Sequence, residues 1–165
     1  MPTPTALPST FTANTVLPAA SLNLLRGAFR VLQVVTATNA TQVTHNSTTY
    51  STTNLTATIT PQFNNSTILV LAFMNGTVKG AENAGNALNL EIKRGTTQIQ
   101  EVKDLHLTST ALLVVGTCFM SVMDSPATTS ATTYTVNGKN SVNTFTVATQ
   151  FQNTKSVLVL CEISV

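Results

Sequence analysis

Thr110–Met123, TALLVVGTCFMSVM, is the stretch on which the reading of this chain turns. One alternating set is Leu112, Val114, Cys118, Met120 and Val122; the other is Leu113, Val115, Phe119 and Met123, broken by Thr117 and Ser121. β-branched and aromatic residues favour a strand. A strand of an antiparallel sheet with one face in water alternates apolar with polar, and this one does not. Ser156–Ile163, SVLVLCEI, behaves the same way: Val157, Val159, Cys161, Ile163 and Val165 oppose Leu158, Leu160, Glu162 and Ser164. Thr67–Phe73, TILVLAF, is also apolar on both faces. Parallel strands have that character, but no segment reads as a crossover helix. The outer faces of these strands are therefore expected to be covered, by the N-terminal segment, by another subunit or by both. A thick monomer with loops folded over its sheets is the other reading.

Working outward, further strands are expected at Arg30–Thr36, His45–Thr60, Leu88–Arg94, Gln98–Lys103, Thr132–Val136 and Thr144–Gln150. In His45–Thr60, Leu55, Ala57 and Ile59 share one face and Thr56, Thr58 and Thr60 the other. Turn signals separate the strands: Asn64-Asn65, Asn75-Gly76, Gly95-Thr96-Thr97, Asp124-Ser125-Pro126 and Asn137-Gly138. Eight or nine short strands with no strong helix predict an all-β fold, an antiparallel, jelly-roll-like β-sandwich.

Four of the six prolines, Pro2, Pro4, Pro8 and Pro18, fall in the first twenty residues. Proline fixes φ and lacks a donor, so this segment reads as an extended arm. The expected division is an arm over 1–28 and a sandwich domain over 29–165. Leu7, Phe11, Leu17, Leu22 and Leu25 would anchor the arm on a partner. Ser21 could cap a single helical turn ended by Gly27.

The chain has 165 residues, of which only 8% are charged, about a third of the usual fraction. Roughly a fifth are Thr, a bias toward strands. The net charge of +2 comes without a basic stripe, so no nucleic acid is expected as a partner. The longest apolar run is the short Ile68–Met74, so no membrane span is expected. The first charge is Arg26, so no basic region opens the chain and synthesis in the cytoplasm is expected. Charge concentrates between Lys79 and Asp104, where Glu91, Lys93, Glu101 and Lys103 suggest cross-strand ion pairs on one water-facing hairpin.

Candidate chemistry is sparse. A triad could be written from Ser125, His106 and Asp124, but Asp124 and Ser125 are adjacent on one turn, and no G-x-S-x-G elbow is present. Asp124, Ser125 and Pro126 read more simply as a turn in which the side chains bond nearby backbone amides. His45 and His106 carry no carboxylate at ligand spacing, so neither a metal nor a cofactor is expected. His45 reads as a solvated loop histidine. Cys118 and Cys161 read as small buried hydrophobes, a disulfide between neighbouring strands being the alternative. Nothing here reads as an enzyme.

The stretch from Ser109 to Val165 resembles a module of virion proteins of tailed phages, notably marine ones. The likeness is carried by the apolar strand ending in Met123-Asp124-Ser125-Pro126, by the DSPATTSATTY segment to Tyr134, and by a closing strand ending in Glu162-Ile163. Upstream, VLQVV near residue 31, Ile59-Thr60-Pro61, Ser66–Val70 and the Arg94-Gly95-Thr96 hairpin agree, so the likeness covers about residues 30–165. It implies a non-enzymatic β-sandwich of the virion. A short arm with no fibre shaft favours a head decoration, or cement, protein that binds the major capsid protein or another virion protein. The alternative is a tail-fibre or receptor-binding module touching a host receptor. By analogy with viral β-sandwiches a homo-oligomer, a trimer, is expected, with Leu113, Val115, Phe119, Leu158 and Leu160 at its interface.

Overall fold

The computed structural model describes residues 30–82, 84–142 and 145–164. The arm expected over 1–28 lies outside them, and with it Ser21, Leu7, Phe11, Leu17, Leu22 and Leu25. Ten strands follow one another: β1 (Val31–Asn39), β2 (Val43–His45), β3 (Ser51–Ile59), β4 (Thr67–Lys79), β5 (Leu88–Arg94), β6 (Thr97–Leu105), β7 (Val114–Asp124), β8 (Thr132–Asn140), β9 (Val147–Thr149) and β10 (Ser156–Ile163). A single turn of 3-10 helix, Phe151–Asn153, is the helical element among the described residues. None of their helices is long and apolar enough to cross a membrane.

The strands form two antiparallel sheets packed as a sandwich. In the first, β4 carries β7 along one edge and β10 then β9 along the other, and β1 and β2 continue outward from β10 and β9. The second runs β3-β8-β5-β6. Chain connections from β2 to β3, β3 to β4, β4 to β5, β6 to β7, β7 to β8 and β8 to β9 all cross between sheets. That interleaved order is compatible with a jelly roll.

The core lies between the sheets. Leu55, Ala57 and Ile59 alternate inward from β3, as their spacing predicts. They meet Ile68, Val70, Ala72 and Met74 of β4, Leu90 and Ile92 of β5, Cys118 and Met120 of β7, Tyr134 and Val136 of β8, and Leu158 and Leu160 of β10.

Two glycine dipeptides that read as turns lie inside strands instead. Asn75-Gly76 sits within β4 at a bulge between Asn75 and Thr77. Gly76 adopts φ +61, and a Cβ there would meet Phe151 N at 2.5 Å, so glycine serves close backbone approach. Asn137-Gly138 lies within β8, where Gly138 makes room for the His45 ring. The hairpin expected between Thr132–Val136 and Thr144–Gln150 does not form, because β9 pairs with β2 and β4. The single strand expected over His45–Thr60 is broken into β2 and β3, in different sheets, at a turn where Ser47 Oγ accepts from Thr49 N. The β5–β6 hairpin forms as expected, with Gly95 at φ +54.

Candidate interaction surface

The face of the first sheet that points away from the core is built of cross-strand rows. Val34, Cys161, Leu69 and Met123 stand opposite one another across β1, β10, β4 and β7. The next row is Thr36, Val159, Leu71 and Ser121, and the next Thr38, Val157, Phe73 and Phe119. None of these twelve side chains is charged. Phe73 and Phe119 are 42% and 56% exposed, and their ring centroids lie 4.8 Å apart at 39°. Val34, Val115 and Met123 are also more than half exposed. Leu107, Leu112 and Leu113, in the segment leading into β7, are more than half exposed as well.

Of the interface residues read from the sequence, Leu113, Val115 and Phe119 are exposed near this surface. Leu158 and Leu160 are not: both are 0% exposed and belong to the core. The correct alternating set of β10 is the other one, because β10 is an interior strand whose Leu158, Leu160 and Glu162 point at the second sheet. Glu162 can face inward because its carboxylate accepts from Gln33 Nε2 at 2.5 Å, Gln62 N at 2.7 Å and Phe63 N at 3.3 Å. Burial pushes its pKa up, but these bonds outweigh that and hold it below the ordinary value. Phe73, Val34 and the Val157–Val159–Cys161 set were missed as interface candidates. Their signal was present in the doubly apolar strands, but nothing local indicates which set turns outward.

The outer face of the second sheet has the opposite character. Thr56 and Thr58 bond Thr135 and Thr133 across β3 and β8 at 3.1 and 2.8 Å. Asn137 Nδ2 donates to Glu91 at 2.9 Å, and Tyr50 OH donates to Glu101 at 2.7 Å. Lys139 Nζ sits 4.4 Å from the centre of the Tyr50 ring. The cross-strand ion pairs expected here do not form. Glu91 stands opposite Glu101, and the ion pair is Lys103 with Glu101 along β6 at 3.2 Å. The bulges of the β5–β6 ladder set that register.

The residues considered for chemistry have separate partners. Ser125 Oγ meets Thr67 Oγ1 at 3.4 Å, His106 Nε2 meets Thr77 Oγ1 at 2.9 Å, and Asp124 binds Arg94 and Tyr134. Asp124 thus bonds side chains of the other sheet rather than the amides of its own turn. His45 is no solvated loop residue: it is 2% exposed, its Nδ1 2.8 Å from Ser51 Oγ and its Nε2 3.4 Å from Thr149 Oγ1. Burial lowers its pKa to about 4. Among the described residues no cluster of three or more His, Cys, Asp or Glu is placed to hold a metal ion. Both cysteines are free thiols, Cys118 buried and Cys161 half-buried.

No protein-family model and no curated protein matches the chain. Among solved structures, the dimeric latent PorU of Porphyromonas gingivalis is similar over 84% of this chain at 11% identity and a TM-score of 0.33. The chain spans 14% of the length of that protein. A likeness at this score carries neither fold nor function across.

Proposed function

We propose that this chain is a non-enzymatic structural protein of a tailed-phage virion, a decoration protein that trimerises on the head shell and stabilises it. The observation that supports this most is the uncharged outer face of the first sheet. A water-facing sheet would carry polar side chains there, and a surface this apolar is characteristic of assembly. The sequence likeness described above supplies the virion context, and the arm over 1–28 supplies a segment for the major capsid protein or a neighbouring subunit. Each contact with the shell would add buried apolar area, at ~25 cal/mol per Å² before association costs.

A second reading, a tail-fibre or receptor-binding module, is favoured by the outer face of the second sheet. Tyr50, Glu101, Lys139 and Asn137 present hydrogen-bonding groups on a rigid, Thr-rich surface of the kind a host receptor could contact. The discriminating experiment incubates purified undecorated shells with the full chain and with a chain lacking residues 1–28. Saturable binding at symmetry-related shell sites, lost on truncation, supports the decoration reading. No binding to shells, with binding to whole host cells, would replace it with the receptor reading.

A further inference from the structure

Residues 41–50 join β1 to β3 by way of β2, and one buried side chain anchors them. That residue is His45; Val43 and Tyr50 are half-buried and the rest are exposed. β2 is an edge strand, and its ladder to β9 is short: Val43 with Thr149, Thr44 with Ala148 and His45 with Val147. The other ties lie near the surface. Ser47 O accepts from Asn140 N at 2.9 Å, Gln42 Oε1 accepts from Gln152 N at 3.1 Å, and Tyr50 OH donates to Glu101 of β6. Water replaces bonds of that kind at modest net cost. The imidazole is different. It packs on Gly138 of β8 and meets Ser51 of β3 and Thr149 of β9, both neutral. Burial alone lowers its pKa, with no carboxylate to offset it. The charged groups on the surrounding elements are engaged elsewhere. Lys139, beside Gly138, sits over the Tyr50 ring on the outer face of the second sheet, and Glu91 of β5 bonds Asn137 there. Lys79 of β4, opposite Val147, bonds the carbonyls of Gly80 and Leu112. An imidazolium at this place would be buried without a counter-charge.

We propose that His45 is an acid-operated lock on residues 41–50: when its imidazole takes a proton, the segment leaves the sandwich while the two sheets stay folded. The core built on Leu55, Ile68, Leu90 and Leu158 receives no side chain from the segment, so its packing survives the release. Tyr50 ends the segment, and its ring and hydroxyl part from Lys139 and Glu101 with it, so acid also remakes the outer face of the second sheet. Burial sets the direction. The closed form keeps His45 neutral, and the freed imidazole takes a proton near 6.5. The open form therefore gains about tenfold per pH unit below 6.5, up to about 300-fold near pH 4. This device goes beyond the assembly reading above and does not depend on it.

Hydrogen exchange of the full chain tests the lock, read by mass spectrometry from pH 7 to 4 and corrected for intrinsic exchange. Peptides covering 41–50 and 147–149 should lose protection by about tenfold per pH unit below 6.5, at pH values where peptides of β4 and β10 are still protected. His45→Gln should abolish that dependence on pH, whatever protection it leaves. His106→Gln, which alters the other histidine, should retain it. A segment that loses protection only together with β4 and β10 overturns the lock, because His45 is then freed by global unfolding alone. So does a segment whose protection is unchanged down to pH 4, or one whose dependence on pH survives in His45→Gln.

Discussion

Arg94 Nη1 lies 2.8 Å from Asp124 Oδ1 and 2.9 Å from Oδ2, tying the last residue of β5 in one sheet to the last residue of β7 in the other. Tyr134 OH, from β8, donates to the same carboxylate at 2.6 Å. The Asp124 side chain is 10% exposed, so its loss would leave a guanidinium and a phenol short of an acceptor in a mostly dry place. Asp124→Ala is expected to cost about 2–3 kcal/mol, lowering the melting temperature by roughly 5–10 °C. Asp124→Asn, which keeps one acceptor oxygen, should cost less. A calorimetric scan in which Asp124→Ala melts with the parent would mean that the pair does not brace the sandwich.

Acid should weaken the fold in two stages, the first owed to His45. Its folded pKa of about 4 lies below the ordinary 6.5, so the unfolded chain binds the proton more readily. The stability from keeping His45 neutral is full above pH 6.5 and is lost as pH falls toward 4. That gap is worth on the order of 3 kcal/mol. His106, also lowered by burial, acts in the same direction. Glu162, held below its ordinary value, contributes stability that persists until pH falls through the carboxylate range. Urea unfolding at pH 7, 5.5 and 4 should show this loss, and His45→Gln should flatten the slope between pH 6.5 and 4 whatever it does to absolute stability. An unchanged slope in that variant would remove His45 as the cause.

The fold was legible wherever one residue set decided a face. Leu55, Ala57 and Ile59 against Thr56 and Thr58 gave β3 its orientation, and Gly95 gave the β5–β6 hairpin. It was not legible where both sets were apolar: Leu158 and Val157 are equivalent in sequence, and only the long-range partners of Glu162 settle which turns inward. Asn75-Gly76 and Asn137-Gly138 misled for a related reason. Glycine also permits close approach, and what approaches, Phe151 or His45, is distant in sequence. The apolar surface was visible as a doubly apolar β7; its extent across β1, β10 and β4 required the register.

The cysteines should remain separate thiols. Cys118 stands opposite Met74 on the core side of the first sheet, and Cys161 stands opposite Leu69 on the outer side. Side chains on opposite faces of one sheet cannot be bridged without breaking the sheet. Mass spectrometry without reductant should find two free thiols. Cys118, whose pKa burial raises, should alkylate only as the protein unfolds. An intramolecular disulfide in the folded protein would overturn the register of β7 or β10.

Gly138→Ala tests how His45 is held. A Cβ at 138 would lie 2.7 Å from His45 Nε2 and 3.0 Å from Cδ2 and Cε1. The ring cannot retreat without stretching its contacts with Ser51 and Thr149. Overpacking of this kind costs about 1–3 kcal/mol. Gly95→Ala is the control: nothing lies within 4 Å of its added Cβ, so only the left-handed backbone, φ +54, resists the change, at about 1 kcal/mol. The two costs separate in the double variant His45→Ala with Gly138→Ala. Removing the ring frees the space, so the second substitution should cost markedly less in the His45→Ala background than in the parent. Strict additivity in denaturant melts would show that Gly138 is required for its backbone and not for the histidine packed on it.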